Sequence, residues 1–474
     1  MARPELGLVA GYVTSLLGGV FSLVLYAHCL GATAYGRLAV DLAVVEALQS
    51  VLFQWHRLAV VRFWAANEKI DLPSYLSTYH RTWLGLTAVT LVTSGVCFAI
   101  GVKSFESEWL LVVAMGLAKS AALYAQEIAR ASGESRRYSI GALFMTFGSA
   151  LAGVAVYRLT YSVNAVLVAS AMTFALSSVV CLWGAPSSRA GHGFSRVHFR
   201  AMLHYGIPLV PVFVASAALT RFDRLILALF ETPRVVGIYA AASALVINVI
   251  SAACLLVVTP AYPWLLREKE RRTGSDYRRV HARIGVLMLT GVLGVCIALY
   301  FGRIAALPLL LGEDIGNAAS AYVLPLLTIA TLGALRAHFF DQSYHLFSRT
   351  NTLMAINLIT LVIALAFLYV GARLDGLFGL LWALIVVNVL SLLISLMFSR
   401  SFVALNQIFS GLLVLVPICM ISILAGEVAS YAASIAIDGR LMGAMSATVA
   451  TLVFAGGVFL ANVGAIRSFI WSRA

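Results

Sequence analysis

Apolar runs of membrane-crossing length follow one another along almost the whole chain, with short polar segments between them. Fourteen spans can be drawn, at about 6–30, 36–61, 81–102, 108–130, 138–158, 163–183, 203–230, 236–262, 282–302, 317–346, 352–371, 377–399, 409–430 and 442–465. The alternating pattern of a membrane strand is absent, so the pattern predicts an all-α polytopic membrane protein of about 14 transmembrane helices. The longest connections are 184–202, rich in Gly and Ser, and 263–281, which carries REKERRTGSDYRRVH.

A faint repeat organises the spans. Sliding the chain by about 200 residues lays AYGRLAVDLA (34–43) over VVGIYAAASA (235–244), each opening the second span of a six-span set. Six is even, so both sets share one orientation. The expected domains are a six-helix bundle over 1–183, a cytoplasmic linker over 184–202, a second six-helix bundle over 203–399 and two additional helices over 400–474.

Composition narrows the class further. The 474 residues are 61% hydrophobic and 11% charged, roughly half the charge of a soluble domain. The net charge of +13 follows from the side on which the basic residues fall. With the N-terminus inside, cytoplasmic ends and loops collect about 21 of the 33 Lys and Arg, and the opposite side about seven. Both termini are therefore expected in the cytoplasm, and no nucleic-acid partner is needed to explain the charge. The run behind Arg3 is too long for a signal h-region and reads as an uncleaved first helix. Six cysteines stand singly in apolar runs with no CxxC pair and no histidine set, which points to small packed residues and to neither a disulfide framework, a metal site nor a cofactor.

The stretch His204 to Ala244 concentrates the unusual features. A Gly-x-Pro-x-x-Pro break at Gly206, Pro208 and Pro211 precedes an apolar span holding Arg221, Asp223 and Arg224. Elsewhere, the spans hold the cations Arg57, Lys119 and Arg336 and the acids Asp41, Glu46, Glu127 and Asp341. Glu46, Gln49, Phe53 and Arg57 share one face of a regular helix, and so do Lys119, Gln126 and Arg130. A charge at the depth of Lys119 costs about 3 kcal/mol unless it is paired or wet. Each residue also has a plainer role open to it. Arg57, Arg221 and Arg224 are within snorkelling reach of headgroups, Arg336 can pair with Asp341 one turn away, and Asp223 can neutralise its arginine neighbours. Together, cations at several depths in four spans predict a wet, positive cavity suited to a mobile anion such as a pyrophosphate headgroup. The buried acids are then charge partners or proton or sodium coupling sites, and the Pro-broken segment a hinge.

The opening LVAGYVTSLLGGVFSLVLYAHCLGATAYGRLAV resembles the start of the Wzx-type polysaccharide flippases, with its leucine-glycine turn and x-Tyr-Gly. HYGIPLVP matches the family's Tyr-Gly-x-Pro start of the seventh span, TRFDRLILALF its Asp-Arg-containing exit, and VGIYAAASAL the start of the eighth. The resemblance covers roughly a quarter of the chain and points to the multidrug/oligosaccharidyl-lipid/polysaccharide exporter superfamily. It implies two six-helix bundles around a central cavity plus two C-terminal helices. It also implies translocation of a polyprenyl-pyrophosphate-linked oligosaccharide for O-antigen, capsule or exopolysaccharide synthesis. Asp223 and Arg224 match the exit motif directly, whereas Arg57, Lys119 and Arg336 are singled out by their depth.

Membrane lipids and the pathway's polysaccharide polymerase or glycosyltransferases are the expected neighbours. Three other functions compete. A drug/cation antiporter of the same superfamily favours a cavity rich in acids and aromatics. A lipid-II flippase is served equally well by a cationic cavity. A membrane glycan polymerase or ligase requires catalytic residues in a large outer loop, and here every such loop is short, with no GxSxG or HExxH signature in a credible context, so no catalytic residue is expected.

Overall fold

The computed structural model describes residues 2–64, 72–100, 107–183, 193–271, 274–347, 349–434 and 439–461; residues 184–192 of the 184–202 linker lie outside them. Among the described residues the chain is helical, with no strand. Among these residues twelve helices are long and apolar enough to cross a membrane. Two of these, Leu17–Trp64 and Asn351–Ser399, are 48 and 49 residues long, far beyond the roughly 20 residues of one crossing. Each is broken once inside, at Gly31 (φ 75°) and at Asp375–Gly376 (φ of Gly376 50°). A break in each turns twelve helices into fourteen crossings, as the hydropathy pattern predicts. The protein is a multi-pass membrane protein.

Contacts divide the chain into two compact units, Met1–Gly237 and Ile238–Ala474. The first holds α1 (Ala2–Leu48), α2 (Gln54–Trp64), α3 (Leu72–Ala99), α4 (Ser107–Ala131), α5 (Ser135–Leu143), α6 (Ser149–Thr160), α7 (Val163–Leu182), α8 (Arg196–Gly206), α9 (Val210–Leu227) and the first turn of α10 (Pro233–Arg271). The division falls downstream of the 184–202 linker at which the sequence separates two bundles, because α9 lies along α1 and so joins the first six spans. Within this unit α4 runs along α7, and α1 packs on α5 and α6. An aromatic cluster of Tyr75, Tyr79, Tyr124 and Tyr138 with Met202 ties α3, α4, α5 and α8 together at one end.

The second unit continues α10 and adds α11 (Gly274–Leu311), α12 (Glu313–Ala319), α13 (Val323–Leu335), α14 (Asp341–Leu346), α15 (Thr350–Ser399), α16 (Leu405–Ser434) and α17 (Gly439–Leu460). The two last helices pack on each other and both on α11. Arg440 Nη2 reaches Glu313 Oε1 at 2.5 Å, tying α17 to α12. The basic stretch 263–281, expected as a loop, is mostly helix: α10 runs on to Arg271 and α11 starts at Gly274. Outer faces carry stripes of exposed apolar residues at helical spacing, such as Val89, Val92 and Val96 of α3, which is the surface a lipid-solvated helix presents.

The two glycines aligned by the repeat, Gly36 and Gly237, meet each other. A Cβ on Gly36 would overlap the carbonyl oxygen of Pro233, and one on Gly237 the carbonyl oxygen of Ala32. Backbone stands in the way on both sides, so no rotamer change relieves the clash. Gly36→Ala or Gly237→Ala is expected to cost about 1–3 kcal/mol. Gly85→Ala, where a Cβ meets nothing within 4 Å, is expected to be neutral. Thermal melting of the detergent-solubilised protein, followed by size-exclusion fluorescence, checks this.

Candidate functional site

The second leg of α1, from the break at Gly31 onward, runs into a π-helical turn at Gln49–Phe53 before α2 resumes the α-helix. A π turn inserts one extra residue and widens the helix locally, which brings side chains onto a face that a regular helix would not put them on. Gln49 Nε2 accordingly donates to Gln54 Oε1, five residues on, at 3.3 Å. Glu46, Gln49, Ser50, Gln54 and Arg57 all line a cavity of about 460 Å³. Lys119 and Leu123 of α4, Met145 and Phe213 of α9 complete the wall. Met145 lies in a second π turn, Phe144–Gly148.

Charge is concentrated there. The Lys119 ammonium donates to Glu46 Oε1, and the two side chains are only 14% and 29% exposed. Arg57 and Arg221 also lie within electrostatic reach of Glu46, so one carboxylate serves three cations. Glu127 performs a similar role lower on α4: its Oε1 is 3.4 Å from Arg57 Nε and its Oε2 2.6 Å from Arg130 Nη2. Of the lining residues two are cations and one an acid, so the cavity wall is net positive.

Neighbouring packing holds the charged residues in place. Trp83 Nε1 donates to Ser120 Oγ at 3.0 Å, fixing the rotation of α4 beside Lys119. His56, next to Arg57, stacks on Tyr79 with ring centroids 4.0 Å apart, and its Nε2 sits 3.0 Å from the Tyr79 carbonyl oxygen. On its other flank, Trp55 lies against Gly206, where a Cβ would overlap its ring. Gly206 ends α8, and a 3-10 turn at Ile207–Leu209 separates it from α9. The Gly206–Pro208–Pro211 segment is thus a local 3-10 tightening of a helix that otherwise runs on, and at Gly206 it touches the cavity-bearing helix directly.

Of the residues singled out from the sequence, Glu46, Arg57 and Lys119 come together in the cavity wall. Glu127 backs it as a partner of Arg57. Arg221, Asp223 and Arg224 stand outside the lining, on the last turns of α9. Asp223 Oδ1 accepts from the Arg224 backbone N–H at 2.8 Å, while Arg221 and Arg224 both lie in electrostatic reach of Tyr35. Asp41 is half-buried on α1, within reach of Arg37 and Glu108, and does not line the cavity. Arg336 and Asp341 belong to the second unit, Nε to Oδ1 3.7 Å, with Arg336 also donating Nη2–H to Asn357 Oδ1 of α15. Arg336 opens a third π turn, Arg336–Phe340. Sequence reasoning missed Ser50, Gln54, Leu123, Met145, Phe213 and Asn357. Only the Gln49/Gln54 spacing carried a signal, as a pair that faces together across a π turn.

A family model described as a polysaccharide biosynthesis protein matches residues 108–314, a segment that includes the whole of His204–Ala244. Among solved structures, the lipid II flippase MurJ in an inward closed conformation aligns with a TM-score of 0.70 at 13% identity, over 95% of this chain and 98% of that one. An inward-facing multidrug resistance MATE family transporter of the MOP superfamily gives 0.54 at 13% identity, over 83% and 97%. The chain has the fold of the multidrug/oligosaccharidyl-lipid/polysaccharide exporter superfamily. The resemblance to the superfamily's Wzx-type flippases is borne out. A eukaryotic MATE transporter of this superfamily's fold aligns at 0.51 and 12% identity, over 86% and 98%. No curated protein sequence matches the chain.

Removing one member of the Lys119–Glu46 pair leaves the other without its counter-charge among apolar helices. Glu46→Leu is expected to destabilise the protein by about 1–3 kcal/mol, and Glu46→Leu combined with Lys119→Met to recover most of that loss. The thermal midpoints of the two single variants and the double variant close the cycle.

Proposed function

We propose that the protein flips a polyprenyl-pyrophosphate-linked oligosaccharide from the cytoplasmic to the outer leaflet of the bacterial inner membrane, by alternating access, for surface polysaccharide synthesis. The observation that carries this reading is the cavity of Glu46, Gln49, Gln54, Arg57 and Lys119: deep in apolar helices, positive, and rich in neutral hydrogen-bonding groups. A pyrophosphate needs cations, and a sugar needs amides and hydroxyls. The match to a polysaccharide biosynthesis family and the flippase fold support the same assignment.

Glu46 is the pivotal group in the mechanism. In the state described, its carboxylate already occupies the Lys119 ammonium. An arriving pyrophosphate displaces it, so binding exchanges one anion for another and the net gain is small. A carrier requires such loose binding, since the cargo must leave again. After translocation Glu46 returns to Lys119 and helps expel the headgroup. Arg57 contributes a planar guanidinium able to grip two phosphate oxygens, and Glu127 holds it in position. Arg221 and Arg224 meet the headgroup in the outward-facing state, with the segment of Gly206, Pro208 and Pro211 absorbing the change in direction. Asp41 and Asp341 are the candidate proton or sodium coupling sites, and Arg336 a candidate second anion contact. The two six-span bundles rock against each other.

A lipid-II cargo is the second reading, favoured by the extent of the alignment to MurJ. Depletion in the native host, followed by mass spectrometry of polyprenyl-linked lipids, separates the two. A surface-polysaccharide oligosaccharide accumulating on its lipid carrier supports the flippase proposed; accumulated lipid II supports the second reading; an unchanged profile with new sensitivity to cationic dyes supports a drug antiporter.

Lys119→Ala and Arg57→Ala are each expected to lower surface polysaccharide at least about tenfold at normal protein level. Glu46→Gln is expected to separate binding from turnover, tightening pyrophosphate-lipid binding by roughly tenfold while slowing export. Binding to the purified variant and polysaccharide output in cells measure the two effects. Full export by both cation variants would remove the cavity from the mechanism.

A further inference from the structure

A second cavity, of about 500 Å³, belongs wholly to the second unit and has a different character. It is lined by Arg278 and Arg279 from the opening turns of α11, Arg400 directly after α15, and Asn406 and Gln407 at the start of α16. Three helix ends therefore meet around it, and among the described residues no acid is part of its lining. The three arginines are exposed, and among the described residues none of them makes an ion pair or a hydrogen bond. Three like charges converge on one cleft without a protein counter-ion, an arrangement that self-repels unless an anion sits between them.

The position identifies the kind of anion. Each of the three helix ends terminates an apolar span, so the cleft stands at the boundary where hydrocarbon gives way to water, at the depth of lipid headgroups. Charge bias assigns these ends to the cytoplasmic side. On the same helix ends Met397, Phe398 and Phe409 are 63%, 54% and 56% exposed, an apolar surface for acyl chains beside a polar cleft. Two cationic groups flank the region on aromatic faces: Lys269 over Phe347 at 5.5 Å and Arg349 over Phe402 at 6.0 Å.

We propose that the cleft of Arg278, Arg279 and Arg400 binds the phosphate headgroup of an anionic phospholipid of the cytoplasmic leaflet, fastening the ends of α11, α15 and α16 together. The guanidinium forks take the phosphate oxygens, and Asn406 and Gln407 the remaining headgroup hydroxyls or esters.

Native mass spectrometry of the full chain in detergent tests this, with phosphatidylglycerol or phosphatidylcholine added in turn. The expected result is a single retained phosphatidylglycerol and no retained phosphatidylcholine. Affinity should fall about a hundredfold in R278Q/R279Q/R400Q, at roughly fivefold per cation. The lysine version R278K/R279K/R400K should keep most of the binding and shows that the charge, not the fold, is read. If the glutamine variant does not fold, R400Q alone, at the end of its helix, should still lose about fivefold. Equal retention of both lipids, or unchanged affinity in the folded glutamine variants, overturns the proposal. Displacement of the lipid by millimolar inorganic pyrophosphate assigns the cleft to a soluble anion and overturns the lipid as its occupant.

Discussion

Placing a full charge in the apolar middle of a bilayer costs about 3 kcal/mol unless the charge is paired or wet, and Lys119 sits where that cost applies. Much of the first unit is arranged to meet it. Glu46 supplies the counter-charge from the facing helix. The π turn at Gln49–Phe53 opens that helix enough to bring Gln49, Ser50 and Gln54 beside the pair, so the surrounding wall is polar as well as charged. Glu127 does the same for Arg57 from the Lys119 helix. The two helices thus exchange partners in both directions, an acid from each neutralising a cation of the other. Sliding α4 past α1 and α2 would break both pairs together.

Backbone packing controls where those helices can stand. The glycine contact of Gly36 with Pro233 and of Gly237 with Ala32 brings two helix starts closer than any side chain allows. The break at Gly31 then redirects α1 so that Glu46, some 15 residues on, faces α4. At the opposite end of the cavity helix, Gly206 admits the Trp55 ring, two residues before Arg57. The seventh span consequently packs, through Gly206, on a side chain two residues from Arg57 of the cavity wall.

The fold was legible to the extent that it is hydropathy. Fourteen crossings, the positive-inside asymmetry and the Gly36/Gly237 pair all stand in the residues themselves, because a bilayer makes spanning segments uniformly apolar. The site was legible only in its charges. Glu46, Arg57 and Lys119 stood out because ionisable residues are rare at that depth. Phe53, expected on the same face as Glu46, is instead buried at 3% exposure, while Ser50 and Gln54 line the cavity. That error has one cause: periodicity assumes 3.6 residues per turn, and the π turn breaks the phase inside this very face. Met145 and Phe213 were invisible for another reason, since an apolar residue facing a cavity reads like one facing lipid. Likewise, the basic stretch 263–281 passed for a loop because charge resembles solvent exposure, although Tyr277 and His281 are buried on a continuous helix.

Two intramembrane cation clusters invite comparison, and the difference between them bears on function. Arg336 is met by Asn357 across to α15 and by Asp341 along its own helix, and these three side chains line neither of the two cavities described above. Its charge is met by one acid and one amide of the same unit. Lys119 has a single strong partner, and beside that pair lies about 460 Å³ of space lined by side chains that can hydrogen-bond. A pair that served stability alone would gain from a dry, close-packed surround, where apolar contacts replace the polar wall. Space, surplus positive charge and spare donors around one replaceable carboxylate are instead the conditions for exchanging that carboxylate with an anion from outside. In the proposed cycle an empty positive cavity would trap its cargo, and Glu46 is the competitor that lets it go.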